Sequence, residues 1–197
     1  MSIESSIERD KNRPTNQIFV LDDFISDDNC ETIVRYINEH ELVDEGEYNH
    51  ETNVNAKVMP PEQKIKSNIH ELIVQGIHKI KEILITKYGI EIEGCEYNQL
   101  RKIYGSTKYH EDGNYQEGTT RVLSMITALN SDYDGGELVF PCQNFTIKLK
   151  RGQCILFPPY WTHPHYTNDL KNNTFRYTIN TWLIKRLMKN RPLRAER

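Results

Sequence analysis

The sequence predicts an α+β domain in which two N-terminal helices buttress a β-sandwich or barrel. Three observations predict it. Apolar residues recur at helical spacing early in the chain, at Ile33, Val34 and Ile37 and again at Ile65, Ile69, Leu72, Ile73, Ile80 and Leu84. After Gly89 the pattern changes for good, and short β-like runs alternate with turn signals as far as residue 184. The length of 197 residues, with 37% hydrophobic and 27% charged, suits one domain with one sizeable core.

Taken in order, residues 1–15 read as a flexible leader, ordered only near its end. Residues 16–185 form the domain. Ile18-Phe19-Val20-Leu21 is a short β-like run. Ser26 is an N-cap for the first helix, with Asp27 and Asp28 in the first turn, where the helix dipole favours acids. Residues 42–63 carry little periodicity and read as a long loop with room for a short strand. The second helix spans Lys64 to Tyr88, and Gly89 is placed to end it. Strands are expected over 97–104, 121–129, 137–140, 145–149, 153–157 and 175–183. Residues 186–197 are a basic tail, read as a solvated end.

Composition narrows the function. The net charge of −3 gives no large basic excess, so nucleic acid is not expected as the main partner. No apolar run approaches the ~20 residues that span a bilayer, and no membrane partner is expected. The first residues lack the apolar stretch of a secretory signal. The cysteines at 30, 95, 142 and 154 show no CxxC pairing and read as reduced thiols of a cytoplasmic protein. Phosphate-binding loops, dinucleotide fingerprints and nucleophile elbows are all missing.

Two short segments carry metal chemistry. In extended chain, residues i and i+2 project to one side, so His110 and Asp112 offer an imidazole and a carboxylate together while Glu111 points away. About fifty residues on, the buried run Gln153 to Phe157 stops at Pro158-Pro159, and His163 follows. Two imidazoles and one carboxylate occupy one face of an octahedral metal and leave the other positions open, the arrangement of non-heme Fe(II) oxygenases. Oxygen and a chelating cosubstrate need those positions, which a closed four-ligand zinc site does not offer. Arg176 follows in a strand where Arg176, Thr178, Asn180 and Trp182 share one face. An Arg on an inward face is costly unless a carboxylate pairs with it, and a dicarboxylate ligand supplies that partner through two parallel hydrogen bonds.

These pieces, in this order, resemble the prolyl 4-hydroxylase-like branch of the Fe(II)/2-oxoglutarate oxygenases. The resemblance covers roughly residues 97–183 and, more faintly, 18–90. Leu100 to Gly105 followed by Tyr109-His110 is similar to that family's strand and glycine turn before the first His. Val122 to Asn130 is similar to its central strand, Asp134-Gly135-Gly136-Glu137-Leu138-Val139-Phe140 to its GGE hairpin, and Lys150-Arg151-Gly152 to its next turn. Arg176-Tyr177 with Trp182 resembles its last core strand.

The resemblance implies a double-stranded β-helix, or jelly roll, with Fe(II) held by His110, Asp112 and His163. His163 is preferred over His165 because its distance from Phe157-Pro158 fits the family pattern and Pro164 interrupts the alternation between them. It also implies that Arg176 and Tyr104 hold the distal carboxylate of 2-oxoglutarate, with Thr178 beside them. Trp161, His165 and Trp182 are the candidate substrate contacts, and no catalytic residue is expected beyond the metal ligands. The implied reaction hydroxylates a C–H bond and oxidatively decarboxylates 2-oxoglutarate to succinate, with ascorbate as a companion cofactor. The expected substrate is a peptidyl proline or another protein side chain. A small molecule or nucleobase is the alternative, and a non-catalytic cupin-like module is a third reading.

Overall fold

The computed structural model describes residues 14–44, 54–59, 67–116 and 118–186. The leader up to residue 13, residues 45–53 and 60–63 of the long loop, residues 64–66 expected to open the second helix, residue 117 and the basic tail beyond Arg186 lie outside that set.

The first strand, β1 (Phe19–Leu21), is followed by α1 (Asp27–Glu39), β2 (Val43–Asp44), β3 (Val54–Val58) and α2 (Ser67–Tyr88). The remaining strands are β4 (Gly94–Cys95), β5 (Gln99–Thr107), β6 (Tyr115–Gln116), β7 (Thr119–Ala128), β8 (Asp134–Gly135), β9 (Leu138–Phe140) and β10 (Phe145–Ile147). They continue with β11 (Cys154–Phe157), β12 (Tyr166–Thr167), β13 (Leu170–Lys171) and β14 (Arg176–Arg186). One end of each helix is set by local chemistry. The Ser26 side chain accepts from Asn29 N, capping α1. Gly89, at φ 66°, lets Ile90 N reach back to Leu84 O at 2.9 Å and closes α2.

The large sheet runs β1-β11-β7-β14-β5-β3-β2, with β4 and β6 paired to β14 and β7. The loop after α1 therefore contributes two strands, and β3 extends the sheet beside β5. Smaller sheets, β10-β9-β12 and β13-β8, face it. The arrangement is the double-stranded β-helix.

Alternation along β11 shows how the layers divide. All four of its residues are buried. Cys154 and Leu156 pack with Ile33, Ile37, Ile73 and Ile80 on the helix side, whereas Ile155 and Phe157 pack with Leu138, Phe140 and Leu149 between the sheets. A strand covered on both faces reads as a continuous apolar run, as this one does. On β14 the period is two: Ile179 and Leu183 join the helix-side core, and Arg176, Thr178, Asn180 and Trp182 face the other way.

Gly152 ties the turn before β11 to the start of α1. Its carbonyl accepts from Phe24 N and Ile25 N, its φ is 77°, and an added Cβ would lie 2.4 Å from Ile25 O. Gly152→Ala is expected to destabilise the protein by at least about 2 kcal/mol, because left-handed strain adds to a backbone clash that no side chain can yield to. The urea unfolding midpoint reads this directly.

No helix among the described residues is long and apolar enough to cross a membrane.

Candidate active site

A cavity of about 400 Å³ opens between the sheets, lined by β5, the segment after it, β7 and β14. At its mouth His110, Asp112 and His165 converge, each offering one ligand atom, all within 4.8 Å of one another. His110 lies just past β5 and His165 just before β12. The two exchange backbone hydrogen bonds of 3.0 and 2.9 Å as an isolated antiparallel bridge. That bridge brings two histidines distant in sequence into ring contact, 4.4 Å between centroids.

Backbone carbonyls orient both rings. Lys108 O lies 2.7 Å from His110 Nδ1, and His163 O lies 3.1 Å from His165 Nδ1. A proton on each Nδ1 satisfies these carbonyls and leaves each Nε2 lone pair facing the carboxylate. His110 Nε2 is 3.5 Å from Asp112 Oδ1, and His165 Nε2 is 3.9 Å from Asp112 Oδ2. The Ser124 hydroxyl, from β7, donates to Asp112 Oδ2 at 2.6 Å.

The electrostatics favour the ligating forms of Asp112 and His165 and pull His110 the other way. Burial by itself would raise the Asp112 carboxyl, but the hydrogen bond from His110, the charges of both imidazoles and the Ser124 hydroxyl hold it well below the usual carboxylate range. Burial pushes His165 down, against the opposing pull of Asp112, and so favours its neutral, ligating form. For His110 burial also acts downward, but the hydrogen bond and charge of Asp112 outweigh it and the net shift is upward.

His163, expected as the third ligand, stands elsewhere. Residues 160–163 form a turn, closed by His163 N donating to Tyr160 O, and regular pairing resumes at His165. Its Nε2 lies 2.9 Å from Asn16 O and its Nδ1 lies 2.9 Å from Thr162 Oγ1. Its ring therefore braces the N-terminal arm, while Pro164 leads into an extended segment that aims His165 inward, packed against Phe157 and Phe140. His165, read from sequence as a substrate contact, is the residue that completes the cluster.

At the cavity's far end stands Arg176, partly buried. Its Nη1 donates to Gly136 O at 2.7 Å, and its Nε is buried with no hydrogen-bond partner. Burial pulls its pKa down to about 10. A guanidinium in that state is matched by an anionic acceptor entering the cavity. Thr178, its neighbour on the same strand face, also lines the cavity.

Tyr104 does not reach this cavity. Its side chain is 44% exposed and its hydroxyl donates to Asp44 Oδ1 at 3.2 Å, on the other side of the sheet. The pairing register decides this. Arg101 lies directly opposite Thr178, so the two share a face, and period two then turns Arg101 and Ile103 inward and Lys102 and Tyr104 outward. Arg101, 7% exposed, thus occupies the inward position expected of Tyr104. Trp161 is 76% exposed and is not among the cavity-lining residues, whereas Trp182 is. The guanidinium of Arg121 lies over the Trp182 ring, 3.9 Å from its centroid. Arg121 is held there by two bonds to Glu96, 2.8 and 2.6 Å, and its Nη1 donates to Asp112 O.

Arg101, Arg121 and Ser124 were not singled out by sequence reasoning. Ser124 carried a signal, a hydroxyl residue inside the largely apolar run of β7. Arg121 carried none.

Two imidazole nitrogens and one carboxylate oxygen on one side, with open space on the other, suit a divalent iron that must keep coordination positions for ligands. The partly buried arginine at the far end suits a dicarboxylate. Residues 96–184 match the sequence model of the 2OG-Fe(II) oxygenase superfamily. That match spans a little under half of the chain, and together with the His/Asp cluster it supports a 2-oxoglutarate-dependent dioxygenase. The chain's fold is shared with solved prolyl hydroxylases. A viral collagen prolyl hydroxylase from Paramecium Bursaria Chlorella virus-1, solved with 2OG, is 21% identical with a TM-score of 0.64, over 85% of this chain and 95% of that one. A Trichoplax adhaerens prolyl hydroxylase, in complex with a hypoxia inducible factor oxygen degradation domain peptide fragment, is 16% identical with a TM-score of 0.68, over 91% and 89%. A Pseudomonas putida prolyl-4-hydroxylase is 16% identical with a TM-score of 0.63, over 93% and 100%. No curated protein is significantly similar in sequence.

Proposed function

We propose that this dioxygenase hydroxylates a peptidyl proline or another protein side chain. The observation that carries the reading is the wall beside the metal cluster. Trp182 presents an indole braced by Arg121, with Tyr97 edge-on at 5.8 Å and itself exposed. A rigid aromatic surface with a charged rim packs against an apolar ring or side chain at little conformational cost. It stands at the mouth, where an extended chain can lie across the opening without entering it. The peptide bound to the Trichoplax enzyme is a precedent in a protein of the same fold.

In this reading His110, Asp112 and His165 hold Fe(II). Bound iron with 2-oxoglutarate supplies oxygen activation coupled to decarboxylation of the oxoacid to succinate. The protein's own work is positional. Ser124 and the carbonyls of Lys108 and His163 fix the ligand atoms. Arg176 anchors the distal carboxylate, with Thr178 beside it. Ile103, Ile126 and Leu138 give the cavity apolar walls. Trp182 and Arg121 hold the target C–H bond over the mouth. Ascorbate is the reductant expected to sustain turnover.

Succinate release should rise with proline-containing peptides and match the hydroxylated peptide mole for mole. Trp182→Ala is expected to raise peptide KM roughly tenfold, about the loss of one aromatic anchor, with the 2-oxoglutarate KM little changed. If no peptide lifts succinate above its uncoupled level while a small molecule does, the peptide assignment is wrong.

A further inference from the structure

We infer that Arg101 is a second guanidinium for the oxoacid, so that two arginines, Arg101 and Arg176, hold the dicarboxylate cosubstrate from neighbouring strands. This rests on the dioxygenase reading above and adds a residue to it.

The strand register places Arg101 along the path the oxoacid must take. On β14 the inward positions run Trp182, Asn180, Thr178, Arg176 from the mouth to the far end. Trp182 is opposite Ser124, which holds the metal-ligand carboxylate, and Arg176 is opposite Ile103. Arg101 is opposite Thr178, one inward position short of Arg176. Any ligand that touches the metal cluster and Arg176 at once runs past it. Arg101 lines the same cavity, is 7% exposed, and comes from a strand other than that of Arg176, so the two approach a ligand from different sides.

The charges agree with that placement. Arg101 lies near enough to Arg176 for its positive charge to be felt there. Like charges side by side in a buried cavity repel, and a doubly negative ligand relieves the repulsion on entry. Lys102, the next residue, is turned away toward Asn38, Phe175 and Tyr177. Of this adjacent cationic pair, the register sends only Arg101 to the ligand.

The test is calorimetric titration of the Mn(II)-loaded full chain with 2-oxoglutarate, in wild type, R101Q, R101K and R176Q. R101Q is expected to bind 2-oxoglutarate roughly 10–100-fold more weakly, the loss of charge-assisted hydrogen bonds, with Mn(II) affinity and circular dichroism unchanged. R101K should fall between R101Q and wild type, because a point charge replaces a fork. Wild type binding while R101Q binds within about twofold of it overturns this inference alone, since such a difference is far below one charged hydrogen bond. If R101Q does not fold, R101K decides: weaker binding than wild type supports the assignment and equal binding overturns it. Failure of wild type and R176Q alike to bind 2-oxoglutarate would overturn the dioxygenase reading, and this inference with it.

Discussion

His165→Ala is expected to abolish tight metal binding and succinate formation, while His163→Ala keeps both. The two residues are separated only by Pro164, yet they do different work. His165 Nε2 faces Asp112 from inside the cavity, against Phe157 and Phe140. Its removal takes one of three donors from an open site, and the loss should exceed roughly 100-fold in Mn(II) affinity, above what losing a hydrogen-bond partner of a ligand costs. His163 Nε2 bonds the Asn16 carbonyl instead. Its alanine variant loses a link to the N-terminal arm, worth about 1 kcal/mol of stability. Mn(II) titration with a parallel thermal melt separates the outcomes. Metal lost in the His163 variant and kept in the His165 variant would restore the assignment made from sequence spacing.

Arg176→Met should weaken 2-oxoglutarate binding more than any other single change in the cavity that leaves the metal ligands intact. Two parallel charge-assisted bonds to a carboxylate are worth roughly 3 kcal/mol or more, which is over a hundredfold in affinity. The metal-free protein should be no less stable than wild type. The Nε of the guanidinium is buried with no hydrogen-bond partner, and burial has already pulled the pKa down to about 10. A methionine of similar length removes that desolvation and keeps the packing. Equilibrium dialysis against 2-oxoglutarate and urea unfolding read the two halves of the prediction. Unchanged oxoacid affinity would move the anchor to another residue.

Much of the fold was legible in local pattern. Helical spacing located both helices, Ser26 and Gly89 marked an end of each, and the apolar run of β11 foretold a strand buried on both faces. The strands β2 and β3 were harder to see, because β3 is stabilised by pairing with β5, a partner distant in sequence. His110 and Asp112 were legible for the same local reason, since they sit two apart in extended chain. Arg176 was singled out only jointly with them, since an arginine on an inward strand face reads by itself as a solvated side chain or an internal ion pair.

By itself, then, the sequence determined the class of chemistry, the jelly-roll fold and those parts of the site whose geometry is set within a few residues. Tertiary structure alone decided which histidine joins His110 and Asp112 and which residue of β5 faces the cavity. His163 and His165 share the same parity, and only the turn at 160–163 and the bridge to His110 turn one outward and the other in. Arg101 and Tyr104 have opposite parity, but which parity faces inward depends on pairing with β14, far along the chain. A strand's period is a local property, whereas its register belongs to the sheet.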